Sequence, residues 1–308
     1  MGMGKVAAGP PRGELRPGRL AFLLCLPALV FLLAIIAYPI LHALYLSFHA
    51  VDLSALNTGE MPFVGLANFQ ALLRDGVFWA ALRNTVVFTA VSVAGEVLFG
   101  LAIALVINEK GIALGVLSRA LILLPWAVPP VVNGLMWGFI YSPSYGYLNV
   151  ILYRLGIIKE FMQFLGNADI ALYMVSIPYI WRTTPFAALL FHAALQGIPE
   201  ELYEAAKVDG ANAWGRLWGI TLPLLKPTFT VLLVLRTGFA FMVFDEIFAM
   251  TQGGPGNATW VAAWYTYSQS FRYVEIGMGA ASAYALALMI AAIAFVYIRL
   301  LYARVEYA

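Results

Sequence analysis

The chain has 308 residues, of which 62% are hydrophobic and only 11% charged, with a mean hydropathy of +0.84. That is more apolar side chain than a soluble core needs, and it places the protein in a bilayer. A net charge of +2, without clustered basic residues between aromatics, excludes a nucleic-acid partner, and the lone Cys25 excludes an intrachain disulfide or a cysteine metal cluster.

Residues 1–19 are rich in glycine, proline and basic residues and read as a flexible cytoplasmic tail lying at the inner membrane surface. From residue 20 to 308 the chain reads as one transmembrane domain. Six runs approach the about 20 apolar residues that a hydrocarbon core requires: 20–47, 85–107, 120–141, 170–196, 223–250 and 277–301. The predicted fold is all-α, with six transmembrane helices and both termini cytoplasmic. The first run follows arginines, as a signal peptide does, but it is too long and lacks a small-residue cleavage site, so it reads as a retained span. In the 49–84 connection, FVGLANFQALL fits a short surface helix and a plain connector equally well. Pro125, Pro129 and Pro130 predict a kink in the third run, whose freed backbone groups need partners inside protein.

Orientation follows from lysine and arginine near the span ends. With both termini inside, eleven of these residues, from Lys5 to Arg304, fall on the cytoplasmic side, against Arg74, Arg83, Arg154, Lys159 and Arg272 outside. The 199–221 loop is then cytoplasmic and TQGGPGNATW external. Asn257 in that outer loop begins a glycosylation sequon, a triplet too short to carry weight.

The cytoplasmic loop is one of few polar passages. Pro199 suits a first helical position, Glu200 and Glu201 favour the positive helix end, and Gly210 suits the residue after the last turn. Leu202, Ala205, Ala206 and Asp209 fall on one face at i, i+3, i+4 and i+7, and the two alanines let another surface approach the backbone. A helix this short needs docking to be stable. Asn212 suits the cap of a following turn whose Trp214, Leu217 and Trp218 lie at headgroup level. Pro223 and Pro227 open the fifth span.

This stretch, EAAKVDGANAWGRLWGITLP, resembles the pattern E-A-A-x-x-D-G-A-x8-I-x-L-P of the integral-membrane subunits of binding-protein-dependent ABC importers, through Glu204, Ala205, Ala206, Asp209, Gly210, Ala211, Ile220, Leu222 and Pro223. Tyr38 with Pro39, LPWAVPPVV in the third run and TQGGPGN after the fifth are similar to the carbohydrate branch, on its maltose-type and glycerol-phosphate-type side. The resemblance implies a type I permease fold in which Glu204 to Ala211 form a coupling helix gripped by an ATPase subunit. It also implies a second homologous permease, two ATPase copies that bind ATP and Mg, an extracellular binding protein and a sugar cargo. The setting would be a bacterial or archaeal plasma membrane.

The residues themselves supply no engine. No phosphate-cradling G-x-x-x-x-G-K-[ST] occurs, His42, His49 and His192 are scattered, and no nucleophile elbow is present, so the chain reads as a non-enzyme without its own cofactor. Charges inside spans are costly and face protein or a water-filled cavity. Tyr179, Arg182, Thr183 and Phe186 share one face of the fourth run, and Arg236, Phe239 and Ala240 one face of the fifth. Rings beside hydroxyl-binding donors suit a sugar passage, and by resemblance these faces match the cargo-lining ones of maltose-type permeases. Arg182, Arg236 and Ala240 replace the amide and small side chains found there. For each arginine a second role stays open, a structural pair with a carboxylate such as Glu96. Asp245 and Glu246 are expected to contact outer loops, and Asn133 and Trp137 to serve helix packing or face the cavity. Two rival classes remain: an ion-coupled secondary sugar transporter using Glu96, Arg182 and Arg236, and a membrane glycosyl-transferring enzyme, for which no carboxylate constellation is found.

Overall fold

The computed structural model describes residues 17–108 and 116–301. Most of the expected tail, together with Lys110 and Arg304 of the charge comparison, lies outside the described residues. All regular structure among the described residues is helical apart from an isolated bridge between His49 and Phe63. Segments that enter hydrocarbon must satisfy their backbone internally, and helices do so.

The first apolar run forms one rod: α1 (Pro17–Leu32), a π turn over Leu33–Ala37, and α2 (Tyr38–Ser47). Pro39 removes a backbone donor, and just before it Tyr38 N–H reaches back to the Leu33 carbonyl, which absorbs the defect. The 49–84 connection contains α3 (Leu53–Thr58) and α4 (Ala67–Arg74), so the surface helix admitted by FVGLANFQALL is present and a second precedes it. Asp52 caps α3 by accepting from Ala55 N–H at 2.9 Å. The Asn68 amide donates to the Ser47 and His49 carbonyls at 2.8 and 3.0 Å, fastening α4 to the end of α2.

At 33 residues, α5 (Gly76–Asn108) is about 50 Å long, against a hydrocarbon core of ~30 Å. It therefore begins well before the predicted boundary at 85. The third run splits into α6 (Val116–Ala127) and α7 (Pro130–Ile140), bent by 104° where a kink was expected. Pro129 and Pro130 each lack an N–H, and Pro129, followed by a second proline, sits at ψ 140°, outside the helical region, so the ladder stops rather than bends. After α8 (Tyr147–Arg154), α9 (Ala171–Gln196) runs unbroken through Pro178 and Pro185.

The polar loop carries α10 (Glu200–Val208) and α11 (Ala213–Arg216), then a π turn over Leu217–Thr221 and α12 (Leu222–Leu224). The predicted fifth span is divided: α13 (Lys226–Phe241) ends, residues 242–244 break the helix, and α14 (Asp245–Met250) follows. The chain finishes with α15 (Ala262–Tyr267), a π turn over Ser268–Arg272 and α16 (Ile276–Leu301). Ala21–Ser47, Gly76–Asn108 and Ile276–Arg299 are each long and apolar enough to cross a bilayer, and the bent pair is a fourth candidate.

A Cβ added at Gly100 would lie 2.6 Å from that of Ala187, so glycine there lets α5 and α9 touch backbone to backbone. Phe78, Phe88, Tyr179, Trp264 and Tyr265 fill the main core, which α5 shares with α9 and α15. At its edge the Tyr265 hydroxyl donates to Asp75 at 2.6 Å. Burial first, and then the Asp75 carboxylate, push the Tyr265 hydroxyl pKa upward, so it remains a donor at neutral pH.

Candidate functional site

Two constellations carry the polar chemistry. The first is the loop between α9 and α13. Pro199 precedes the helix as its cap, with ψ of 133°, and Glu200 is the first helical residue, one position later than the sequence suggests. The last turn closes on Gly210, whose φ of +81° is open to glycine at little cost. The Ala211 N–H then reaches the Ala206 carbonyl at 2.8 Å, and Asp209 N–H the Ala205 carbonyl at 3.0 Å. Asn212 caps α11 by accepting from Gly215 N–H at 2.8 Å, as its position predicts.

No residue of α10 is buried. Leu202, Glu204, Ala205, Asp209 and Gly210 are exposed, and Ala206 and Ala211 half-buried. The helix is held from the opposite side, where the Tyr203 and Thr221 hydroxyls share a hydrogen bond of 3.0 Å. That bond ties α10 to the π turn that leads into α13. Trp214 and Trp218 stack at 6.5 Å between centroids and stay about two-thirds exposed, at 67% and 65%. The loop thus closes through Gly210 and the Asn212 cap, while Leu202, Ala205 and Asp209 of its small-residue face remain exposed.

The second constellation sits between α5, α9 and α13. Glu96 is fully buried. Arg236 donates to its carboxylate through Nε at 2.5 Å and Nη2 at 2.9 Å, a bidentate pair, and Thr183 donates a third bond at 2.6 Å. Arg236 Nη2 also reaches the Tyr179 hydroxyl at 3.4 Å. The rings of Tyr179, Phe186 and Phe239 surround the guanidinium at 5.8, 5.9 and 5.6 Å. Arg182 lies 5.7 Å from the Tyr179 ring and pairs with Glu246 of α14, its Nε and Nη2 both 3.2 Å from Oε1.

Six of the seven residues expected on the cargo faces therefore meet in one cluster, while Ala240 lies beside it in the core. Within this chain Tyr179, Thr183 and Arg236 point inward, and the uncovered rim is Phe239, at 62% exposure, with Arg182 and Phe186 partly open. Glu246 departs from expectation: it is buried beneath Arg182 rather than set against an outer loop. A charge inventory would have found it, since an apolar chain with one arginine in each of two runs needs a carboxylate for each. Asn133 serves packing, its amide donating to the Pro178 carbonyl at 3.1 Å, and Trp137 meets Trp181 edge-on at 6.0 Å.

The TQGGPGN turn is stiff. Thr251 and Thr259 share a hydrogen bond of 2.7 Å, and Thr259 donates to the Gly254 carbonyl at 2.8 Å. Gly253, at φ +87°, has no room for a Cβ, which would lie 2.6 Å from the indole nitrogens of Trp260 and Trp264. The Asn84 amide of α5 donates to the Ala258 and Trp260 carbonyls at 3.1 and 3.0 Å. Neither Asn84 nor the Tyr203–Thr221 pair stood out in the sequence, because each acts on a distant partner.

Residues 96–305 match the family described as binding-protein-dependent transport system inner membrane component. The trehalose/maltose transport system permease protein MalF of Thermococcus litoralis is 43% identical over 244 residues, 79% of this chain and 81% of that protein. The trehalose transport system permease protein SugA of Mycobacterium tuberculosis is 38% identical over 283 residues, covering 92% and 88% of the two chains. Among solved structures, a chain of a bacterial alginate ABC transporter in complex with an alginate pentasaccharide-bound periplasmic protein superposes with a TM-score of 0.76. It is 25% identical, and the match covers 91% of this chain and 93% of that one. Together with the uncovered α10 loop and the helical architecture, these matches make the chain a member of the family of inner membrane components of binding-protein-dependent transport systems.

Proposed function

We propose that this chain is one of two non-identical permease subunits of an ATP-driven sugar importer in a bacterial or archaeal plasma membrane. Two ATPase copies, supplying ATP and Mg, grip α10 from the cytoplasm, and a binding protein delivers cargo from outside. The chain crosses the membrane six times, the third and fifth crossings being the broken runs, with both termini inside. The observation that carries the reading is α10 itself. It is a short helix with no buried side chain, closed at its end on Gly210 and joined through Tyr203 and Thr221 to the π turn ahead of α13. A helix of nine residues has little intrinsic stability, so an exposed face of Leu202, Ala205 and Asp209 suits a partner's cleft. Glu204, Ala206, Gly210 and Ala211 complete the contact. Motion of that partner would pass along α13 to Arg236 and Phe239.

On the cargo side, Phe239, Phe186 and Arg182 border the passage while Tyr179, Thr183, Arg236 and Ala240 brace it from behind. The trehalose and maltose named for the relatives are the first sugars to try. The ion-coupled rival would draw on Glu96, Arg182 and Arg236, which are paired with one another or with Glu246. The test is reconstitution of the whole transporter in proteoliposomes. Glu204→Lys and Gly210→Pro should leave assembly intact and abolish ATP-dependent uptake of labelled trehalose or maltose. Uptake at the wild-type rate in both variants, or accumulation by the wild type without nucleotide, would refute the coupling role.

A further inference from the structure

The helix α8 is built inside out. In a surface helix the polar residues face outward, yet here Asn149 is fully buried while Tyr147, the first residue of the helix, and Leu155, just past its end, are 74% and 67% exposed. Asn149 is held by three hydrogen bonds: its amide donates to the Ser142 and Met162 carbonyls at 3.3 and 3.0 Å, and its carbonyl oxygen accepts from Met162 N–H at 2.9 Å. This clamp closes the loop on itself and turns the apolar side of the helix outward. Tyr147, Ile151 and Leu155 follow at i, i+4 and i+8, so they share one face. Exposed aromatic surface leads to it from α7: Tyr145, in the six-residue connection, packs on Phe139 at 6.2 Å between centroids, and Phe139, Tyr145 and Tyr147 are all exposed.

We propose that α8 is an interfacial helix whose apolar face lies in the phospholipid headgroup and acyl boundary, at the membrane face where α7 ends. Three features select lipid as the occupant. Exposed aromatic surface leads to the apolar face from α7, the second half of a candidate span. Its aromatic member is Tyr147, a residue type that favours the boundary between hydrocarbon and water. Arg154, exposed in the last turn, can reach a lipid phosphate while its stem covers apolar surface. Docking there would hold the outer half of the broken third run against the bilayer, a support that α7 lacks from its own ladder because the chain is bent by 104° before it. The inference rests on the membrane setting of the family and is independent of the cargo and of the coupling role.

The experiment uses the assembled transporter in nanodiscs, with Cys25→Ser as the background and a fluorescent label on Ile151→Cys, Leu155→Cys or, as the aqueous control, Asp169→Cys. ATP hydrolysis by each labelled transporter reports its assembly. Phosphatidylcholine brominated along its acyl chains should lower the fluorescence of the labels at 151 and 155 relative to unbrominated lipid, and aqueous iodide should quench only the label at 169. Iodide reaching 151 and 155 as readily as 169, with no bromine quenching, overturns the proposal. Shielding of 151 and 155 that arises only on adding the binding protein also overturns it, and assigns the face to that protein instead. Asn149→Ala supplies a second arm: releasing the clamp should lower bromine quenching at 151, whereas unchanged quenching would show that the clamp does not present this face.

Discussion

Between Pro199 and Pro223 most hydrogen bonds that shape the chain close within a few residues, and the resulting helix is left uncovered. Glu96 and Arg236 are 140 residues apart and meet only because α5, α9 and α13 pack together, and their pair is buried. The first region is closed locally and open outward. The second is paired within the chain and costly to disturb. Under the proposed function a coupling element has to be offered outward, while the machinery it would move has to stay intact, and the two regions divide along that line.

The largest effect that would test this contrast comes from the buried pair. Glu96→Ala strands the Arg236 guanidinium in the protein interior and should cost about 3–5 kcal/mol, read as a lower melting temperature of the intact transporter in detergent. Replacing both partners, Glu96→Leu with Arg236→Met, should recover most of that loss, because no uncompensated charge remains. Failure of the double variant to recover would mean the pair holds the helices in register rather than merely neutralising itself.

A smaller loss is expected from Arg182→Gln. Its guanidinium is partly open to solvent but its partner Glu246 is not, so the penalty should be about 1–3 kcal/mol. The same variant should alter the apparent affinity for sugar if Arg182 borders the passage, and an unchanged affinity would assign it to structure alone.

The loop variants come last on the stability scale and first on transport. Gly210→Ala forces a side chain into the left-handed region at about 1–2 kcal/mol, and Asn212→Ala removes a cap worth about 1 kcal/mol. Both costs fall on a segment that opens locally, so faster amide exchange across α10 and α11 should appear without a change in the global melting temperature. Sugar uptake per ATP hydrolysed should fall in both. If the melting temperature falls instead, the loop is part of the core's cooperative unit and the contrast fails. Tyr203→Phe is the mildest, about 0.5–1.5 kcal/mol for one hydrogen bond, and it asks whether the Tyr203–Thr221 link carries motion, through the uptake-to-hydrolysis ratio.

Much of the candidate site is legible in the sequence because it is local. The cap at Asn212, the glycine after α10 and the shared face of Leu202, Ala205, Ala206 and Asp209 follow from spacing, but Ala206 is half-buried where the other three are exposed, and Pro199 falls one position outside the expected helix start. Arg236 pairs with Glu96, and Arg182 with Glu246, which sequence position had assigned to an outer loop. The span count shows the same divide. Long apolar runs such as Gly76–Asn108 announce themselves, but the doubled proline in the third run and the break at residues 242–244 depend on what surrounds them.

Sequence alone determined that the chain is helical, that it belongs in a membrane, and that one polar loop folds into a capped helix with a small-residue face. Backbone hydrogen bonds and caps reach only a few residues, and each short stretch contains its own instructions for them. Tertiary structure decided which carboxylate neutralises which arginine, how far the third run turns, and that Asn149 rather than an apolar neighbour faces inward. Those outcomes depend on how closely helices approach, as where Gly100 admits Ala187, and such distances belong to the assembled fold and to no single segment.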